Sequence, residues 1–175
     1  MVQKKVVMII AWRNFRDEEL QIPKKILEEN KIEVEVASSS TEPAVGMLGA
    51  IVKPDLLVNE VEVADYDAVI FVGGQGASFY WNEPVAHRIA REAVRQGKVL
   101  GAICIAPVTL ANAGVLEGKK ATVWPTESKK LIKKGALYTG KNVETDGNII
   151  TASGPQAAEE FGRKIVEVLF ALSNP

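Results

Sequence analysis

Cysteine is almost absent from this sequence, which has only Cys104 among 175 residues. A single cysteine cannot form an internal disulfide, so its thiol serves either packing or chemistry in a reducing compartment. Long apolar runs are absent too, since none approaches the roughly 18 residues needed to span a bilayer. The apolar N-terminal run lacks the small-residue cleavage site of a signal peptide. We therefore expect a cytoplasmic protein that does not bind membranes.

The sequence also lacks an excess of charge of either sign. Lysine and arginine number 21 and aspartate and glutamate 22, and a net charge of −1 argues against nucleic-acid partners. Neither a G-x-G-x-x-G pattern nor a P-loop occurs, which argues against dinucleotides and nucleoside triphosphates. No internal repeat, linker or low-complexity stretch divides the chain. Residues 1–175 are therefore predicted to form one domain, and we expect neither a cofactor nor a metal.

Two hydrophobic periods alternate along the chain. Short β-branched runs bounded by turn residues predict strands, and stretches with helical periodicity lie between and after them. This alternation is typical of an α/β sandwich with a mostly parallel sheet flanked by helices. The predicted strands are 4–11, 32–38, 67–72, 98–103 and 148–153, and the predicted helices are 17–31, 83–97 and 155–172. The segment 44–58 breaks the rhythm and is predicted to form a small inserted β-hairpin.

Groups with different chemistry follow three of the predicted strands. They are Cys104, the glycine-rich segment "GGQG" (73–76) and the acidic segment "WRNFRDEE" (12–19). Ligands bind outside the carboxyl ends of the strands in an open parallel sheet. We therefore expect the thiol, the glycines and a carboxylate to share one edge of the sheet.

Cys104 is predicted to lie at a sharp turn from strand to helix, with Pro107 opening the helix. Such a turn presents a nucleophile to a pocket, and the helix N-terminus favours thiolate over thiol. A lone cysteine after an apolar strand is also commonly a small buried hydrophobe, and this alternative stays open. The glycines of 73–76 either serve a tight turn or leave backbone N–H groups free to face an oxyanion.

Three acids open the first predicted helix, where the helix dipole favours negative charge. Asp17 is predicted to cap the helix, whereas Glu19 directly precedes apolar Leu20 and can turn inward. Burial and a neighbouring thiolate would raise the pKa of Glu19 and keep it protonated, able to donate a hydrogen bond to sulfur. Capping alone is the alternative.

Five motifs occur in one order along nearly the whole chain. They are "FRDEELQIP", "YDAVIFVGG", "GAICIAP", "AGVLEGKKAT" and "DGNIITASGP". Together they resemble the ThiJ/PfpI superfamily. The resemblance implies a flavodoxin-like sandwich, usually a homodimer or larger, with a nucleophilic cysteine in a strained elbow beside a buried glutamate. Matched by position, the nucleophile is Cys104, the glutamate is Glu19, and the backbone of Gly74 and Ile105 furnishes the oxyanion site.

The sequence departs from the protease-like members of that superfamily directly after the cysteine. Those members carry histidine there as a base, whereas this chain has Ile105. Its only histidine, His87, is predicted to be a surface residue of a helix. The resemblance is therefore closer to members with cysteine and glutamate only, which are associated with glyoxalase or deglycase chemistry and oxidative-stress response.

Three functions remain open at this point. The first is a cofactor-free cysteine enzyme that acts on a small reactive aldehyde such as a 2-oxoaldehyde, with Cys104 as nucleophile and Glu19 as proton carrier. The second is a non-catalytic redox sensor or stress-protective protein in which Cys104 is oxidised to a sulfinate. The third is an intracellular cysteine peptidase of the PfpI type.

All three tryptophans follow strand-like segments. Trp12, Trp81 and Trp124 are therefore predicted to wall a substrate pocket, the alternative being that they cover the rim or pack a subunit interface. Arg13 and Arg16, close to Trp12, are candidates for holding a small anionic group.

Overall fold

A computed structural model describes residues 2–173 of the chain. The strands are β1 (Lys5–Ile9), β2 (Arg13–Phe15), β3 (Glu33–Ser38), β4 (Ala44–Gly46), β5 (Ile51–Val52), β6 (Leu56–Leu57), β7 (Ala68–Phe71), β8 (Val99–Ile103), β9 (Lys120–Ala121), β10 (Leu137–Tyr138), β11 (Val143–Asp146) and β12 (Ile149–Ala152). The α-helices are α1 (Asp17–Glu29), α2 (Pro84–Arg95), α3 (Pro107–Asn112), α4 (Ser128–Lys133) and α5 (Ala158–Leu172). Among these helices, none has the length and apolar content that a membrane span requires.

Seven strands form the central sheet, in the order β11-β12-β8-β7-β1-β3-β6. Every neighbouring pair runs parallel except β11 and β12, which are antiparallel. The strands β7, β8 and β12 are buried along their whole length, as expected for parallel strands covered on both faces. The predicted α/β sandwich with a mostly parallel sheet is confirmed.

The core has two halves, one on each face of the sheet, because successive residues of a strand point to opposite faces. In β1, Val7 and Ile9 belong to one half, which also contains apolar side chains of α2, α3 and α4. Val6 and Met8 belong to the other half, together with apolar side chains of α1 and α5. The helices therefore flank the sheet in two layers.

The inserted segment is shorter than predicted. The strands β4 and β5 form an antiparallel hairpin, and β4 also pairs with β2. The last part of the predicted hairpin is wrong, because β6 joins the edge of the central sheet beside β3. Asp55 directs the chain there: its N–H donates to the carbonyl of Val36 (2.7 Å), and its carboxylate accepts from the N–H of Val36 (2.8 Å).

Candidate active site

The backbone at Cys104 is strained and firmly held. Cys104 directly follows β8 and has φ of +64°, in the left-handed region that costs an ordinary residue about 1–2 kcal/mol. Its N–H donates to the carbonyl of Ala152 (2.9 Å), and its carbonyl accepts from the N–H of Trp124 (2.8 Å). The sharp turn predicted at Cys104 is confirmed, and hydrogen bonds on both sides of the residue maintain it.

The electrostatic environment of the thiol differs from the sequence-based expectation. The pKa of Cys104 is raised to about 12, mainly by burial and then by the negative charge of Glu19, whereas the N–H groups of Gly74 and Ile105 oppose the shift. The prediction that a helix N-terminus favours the thiolate is therefore wrong in its net direction. The helix α3 has only six residues, and burial outweighs what its dipole contributes.

Glu19 lies in the first turn of α1 and has no exposed surface, so the prediction that it turns inward is confirmed. Burial raises the pKa of Glu19 to about 8, opposed by the Cys104 side chain, the Arg16 charge and the backbone of Gly73. Neither carboxyl oxygen has a well-directed hydrogen bond from residues 2–173. The weak contacts with Cys104 and Gly73 offset only part of the cost of burying the charge, so Glu19 keeps its proton well above the pH at which an exposed glutamate loses it.

Asp17 does not cap α1, contrary to the prediction. Its side chain is buried, and its carboxylate accepts hydrogen bonds from the N–H groups of Leu48 (2.5 Å) and Ala50 (3.2 Å) in the β4–β5 hairpin. The N-cap of α1 is Arg16, which makes no side-chain cap. Gly46 makes this arrangement possible, because a Cβ there would overlap the Asp17 carboxylate. Asp17 therefore ties the hairpin to the helix that carries Glu19.

Gly73 brings Glu19 and Cys104 together, a role that the sequence did not reveal. A Cβ at Gly73 would overlap a carboxyl oxygen of Glu19 and would lie 2.5 Å from the Cβ of Cys104 and from the carbonyl oxygen of Ile103. Gly74 has φ of +102°, and a Cβ there would overlap the backbone of Arg16. Both glycines are therefore required for close approach, and "GGQG" was the signal that pointed to this turn.

An open pocket of about 240 Å³ lies over Cys104. It is lined by Arg16, Met47, Gly74, Gln75, Cys104, Ile105, Trp124 and Pro155. The backbone N–H groups of Gly74 and Ile105 are close enough to the sulfur to lower the pKa of Cys104. Cys104, Gly74 and Ile105 thus line the pocket, whereas Glu19 lies buried beside Cys104 and is not part of the lining. Met47 lies in no motif of the sequence analysis, whereas Gln75 belongs to "GGQG" and Pro155 ends "DGNIITASGP", although neither was named as a site residue.

The three tryptophans occupy different places. Trp124 lines the pocket, and its ring packs so closely on Gly154 that a Cβ there would come within 2.8 Å of the ring. Trp81 lies outside the lining and donates from Nε1 to the carbonyl of Ile105 (3.0 Å). Trp12 also lies outside the lining and donates from Nε1 to the carbonyl of Glu42 (3.1 Å). The pocket therefore has one aromatic wall rather than three.

The two candidate arginines also separate. The guanidinium carbon of Arg13 stacks 3.6 Å from the centroid of the Trp12 ring, and Nη1 donates to the carbonyls of Trp12 and Pro43 (both 3.1 Å). Arg13 is thus held against the backbone away from the pocket. Arg16 reaches the pocket and lines it.

No general base of the histidine type is found beside the sulfur. His87 is half-buried rather than on the surface as predicted, and its Nε2 donates to the carbonyl of Trp81 (2.8 Å). It is not among the residues that line the pocket. In the described part of the chain, no group of three or more His, Cys, Asp or Glu side chains could hold a metal ion.

The sequence and the fold match proteins that are already known. The model of the DJ-1/PfpI family matches residues 4–168. A glutathione-independent glyoxalase of Caenorhabditis elegans is 31% identical over 95% of this chain and 89% of its own length. A deglycase of Pyrococcus horikoshii is 31% identical over 93% of this chain and 98% of its own. The crystal structure of a ThiJ/PfpI domain protein from Brachyspira murdochii, 31% identical, superimposes with a TM-score of 0.94 over 97% of this chain and 99% of that one.

Proposed function

Because the chain belongs to the DJ-1/PfpI family, we propose that it is a cofactor-free cysteine enzyme that converts small 2-oxoaldehydes into 2-hydroxy acids. Cys104 is the nucleophile and Glu19 carries the proton. The observation that supports this most directly is the buried Glu19 carboxyl group beside Cys104, with a pKa of about 8. The names of the glyoxalase and deglycase relatives support the class of reaction.

The first step is addition of sulfur to the aldehyde. Ionised Glu19 takes the proton of the thiol as the bond between Sγ and the aldehyde carbon forms. The N–H groups of Gly74 and Ile105, which lower the pKa of Cys104, stabilise the negative oxygen that develops. Glu19 then gives its proton to that oxygen, which completes a hemithioacetal and regenerates the carboxylate.

The second step moves one proton between adjacent carbons. Glu19 takes the proton of the former aldehyde carbon, the electron pair moves toward the ketone oxygen, and an enediolate forms. The proton of the adjacent hydroxyl group moves to that oxygen, so the hydroxyl group now lies on the former ketone carbon and the carbonyl forms on the carbon bonded to sulfur. Return of the proton to the ketone carbon gives a thioester of a 2-hydroxy acid, and water then cleaves that thioester to restore the thiol. One carbon is oxidised and its neighbour is reduced by the same two electrons, so the reaction requires only water besides the substrate.

A pKa of about 8 suits this role for Glu19. A general acid and base is most effective when its pKa lies near the working pH, because both of its forms are then available. An exposed glutamate, with a pKa near 4.3, would give up a proton readily but would seldom take one from carbon. Burial thus supplies the basicity that the proposed proton transfer requires.

Turnover of methylglyoxal tests the proposal. The protein is expected to produce lactate in many equivalents per thiol, and in D₂O the product should carry deuterium at C2. Cys104→Ala should abolish turnover, and Glu19→Gln should reduce it by about a hundredfold or more, because an amide cannot exchange the proton. Glu28→Gln, on the exposed side of α1, is the matched control. Wild-type turnover in Glu19→Gln would contradict the mechanism.

Oxidation of Cys104 is a second candidate function, and the same surroundings favour it. A sulfinate on Cys104 would receive hydrogen bonds from the N–H groups of Gly74 and Ile105 and from protonated Glu19. Two equivalents of peroxide would add two oxygens and release two waters. A sensor reacts once per thiol, so consumption of a single equivalent of methylglyoxal, with clean conversion to the sulfinate by mass, would favour this function over catalysis.

A peptidase of the PfpI type finds little support in these residues. Ile105 follows the nucleophile, and His87 is engaged with the carbonyl of Trp81. Feeble or absent digestion of casein by the purified protein is therefore expected. Strong digestion that is lost in Cys104→Ser would mean that a base from another subunit reaches the site.

Self-association, which the family resemblance implies, is proposed to involve the β4–β5 hairpin. Leu48 and Ile51 expose 65% and 73% of their surface there, beside Met47, which lines the pocket. A second copy that covered these side chains would also border the active site. The assembly would then help to exclude water from the pocket.

A further inference from the structure

Arg16 gives the pocket over Cys104 its charge. Of the eight residues that line this pocket in the described part of the chain, Arg16 alone carries a formal charge. Its guanidinium is close enough to the buried pair to lower the pKa of Glu19. Whatever reaches Cys104 through this pocket therefore passes a cation.

The position of Arg16 is fixed by the same glycine turn that builds the reaction centre. The N–H of Arg16 donates to the carbonyl of Gly73 (3.0 Å). A Cβ on Gly74 would overlap the backbone nitrogen of Arg16, so the backbone segments around Gly74 and Arg16 are in direct contact. The distance between Arg16 and the oxyanion donors is therefore set by backbone contacts.

The guanidinium is also oriented. Its Nε donates to one carboxylate oxygen of Glu18 (3.1 Å), and Nη2 forms an ion pair with the same oxygen at 3.0 Å. Within residues 2–173, Nη1 is used in no hydrogen bond with a side chain or carbonyl. Glu18 thus holds one edge of the guanidinium, and the fork formed by Nη1 and Nη2 is available to a planar anion.

The positive charge of Arg16 offsets the negative charge of the reacting pair. The pair of Cys104 and Glu19 carries a negative charge once it has lost one proton, and that charge repels an anionic substrate. Glu18 offsets part of the Arg16 charge, but both side chains are about 70% buried, where charges are less screened than on the surface. The attraction between a bound anion and the Arg16 guanidinium offsets the repulsion from the pair of Cys104 and Glu19.

We propose that Arg16 binds an anionic group of the substrate, so that the preferred substrates are reactive aldehydes that carry a carboxylate or a phosphate. The term substrate rests on the function proposed above, whereas the anion site itself stands on the geometry of Arg16. Arg13, three residues earlier and held against the backbone, has no part in this recognition.

Alkylation of Cys104 by two reagents of similar size tests the anion site without turnover. Iodoacetate carries a carboxylate where iodoacetamide carries a neutral amide. The ratio of their rates at Cys104, divided by the ratio for free cysteine at the same pH and ionic strength, cancels changes in the amount of thiolate. We expect this normalised ratio to be raised roughly three- to tenfold in the wild-type protein and to fall as salt is added.

Variants of the two arginines decide the assignment. Arg16→Gln should return the normalised ratio to about one, Arg16→Lys should keep part of it, and Arg13→Gln should leave it raised. An equal ratio in wild type and Arg16→Gln would overturn the proposal, and so would a loss of the ratio in Arg13→Gln. Because alkylation needs no turnover, an Arg16-dependent ratio in a protein that fails to convert methylglyoxal would refute the proposed function and leave the anion site standing.

Protection of Cys104 against alkylation then distinguishes a carboxylate from a phosphate as the bound group. Acetate and inorganic phosphate are each added at constant ionic strength while iodoacetamide reacts with Cys104, with Arg16→Gln as the blank. Stronger protection by phosphate assigns a phosphorylated aldehyde, and protection by acetate that is at least equal assigns a carboxylated one. Protection that persists undiminished in Arg16→Gln would overturn the role of Arg16.

Discussion

The negative charge of Glu19 raises the pKa of Cys104, and the Cys104 side chain lowers the pKa of Glu19. The two residues therefore titrate as one buried pair, and an observed pH profile belongs to the pair rather than to either residue. Burial is the largest effect on both.

The reactivity of Cys104 should increase when Glu19 is replaced by a neutral residue. In the wild-type protein the rate of reaction with iodoacetamide should still be rising above pH 9, because the pKa of the thiol is raised to about 12. Glu19→Gln removes the negative charge, so the pKa of Cys104 should fall in this variant. Its Cys104 should then react with iodoacetamide at pH 9 several-fold faster than Cys104 of the wild type. Glu28→Gln should behave as wild type. A slower reaction of Glu19→Gln across the whole pH range would contradict this sign.

The stability of the protein should carry the signature of Glu19. Between its usual pKa of 4.5 and its raised pKa of about 8, the unfolded chain loses this proton while the folded chain keeps it. The folded state is thus the one that binds more protons, and Glu19 makes the free energy of unfolding fall as pH rises through this window. The loss should be on the order of a few kcal/mol by pH 8.

Urea unfolding of the wild type and Glu19→Gln at several pH values between 4 and 9 measures this effect. The free energy of unfolding of Glu19→Gln relative to that of the wild type should grow with pH and level off above pH 8. Glu28→Gln should show no such growth. A difference that is independent of pH would mean that the two states bind the Glu19 proton equally.

Glycine should relieve the backbone strain at Cys104. Cys104→Gly and Cys104→Ala both remove the thiol, but only glycine adopts φ of +64° without a steric penalty. Cys104→Gly should therefore be more stable by about 0.5–1 kcal/mol in urea unfolding, despite the larger entropy of glycine in the unfolded chain. The same change at Ala106, whose φ is −64°, should destabilise the protein. If Cys104→Ala is the more stable of the two, the hydrogen bonds at Cys104 do not store strain.

A side chain at position 73 should separate the reacting groups. Gly73→Ala places a methyl group against the Glu19 carboxyl group, the Cβ of Cys104 and the carbonyl oxygen of Ile103. The last two atoms belong to the backbone or are bonded directly to it, so they cannot easily move away. We expect a loss of about 2 kcal/mol or more in stability, as for overpacked sites, and a changed alkylation rate at Cys104. Gly97→Ala is the control: with φ of +70° and open space around it, it should cost about 1 kcal/mol and leave Cys104 unaffected.

The oligomeric state should depend on the hairpin. Light scattering after gel filtration is expected to find a dimer or a larger assembly, and a charge at Leu48 or Ile51 should shift it toward the monomer. Phe79→Glu, which alters an exposed apolar residue outside the hairpin (60% exposed), is the control. A monomer in the wild type would refute self-association, and an assembly that survives both hairpin variants would place the interface elsewhere.

The architecture was predictable because it depends on patterns that repeat over many residues. Buried parallel strands such as β8 appear as unbroken apolar runs, and the helices between them show a different period. The short strands β9 and β10, of two residues each, carry no such period. The segment before Trp124, which contains β9, was therefore recognised only as strand-like, and β10 was not predicted. The position of β6 was also missed, because its pairing with β3 depends on Asp55 rather than on hydrophobic alternation.

The candidate site was partly predictable, since strand ends in a parallel sheet place Cys104, Glu19 and Gly74 on one edge. What the sequence could not supply was the direction of each side chain. Asp17 and Glu19 share one helical turn, yet one carboxylate binds the hairpin and the other faces the thiol. Likewise Arg13 stacks on Trp12 whereas Arg16 enters the pocket. The places of the two carboxylates depend on gaps left by Gly46 and Gly73, which only three-dimensional contacts reveal.

The two hydrogen bonds from the hairpin to Asp17 make the first turn of α1 a mechanical link. The N–H groups of Leu48 and Ala50 donate to the carboxylate of Asp17, and Glu19 follows on the same turn of a 13-residue helix. The hairpin cannot shift without either pulling that turn or breaking both bonds. A displacement of the exposed hairpin tip that keeps both hydrogen bonds therefore also moves Asp17, two residues from the carboxyl group that holds the proton.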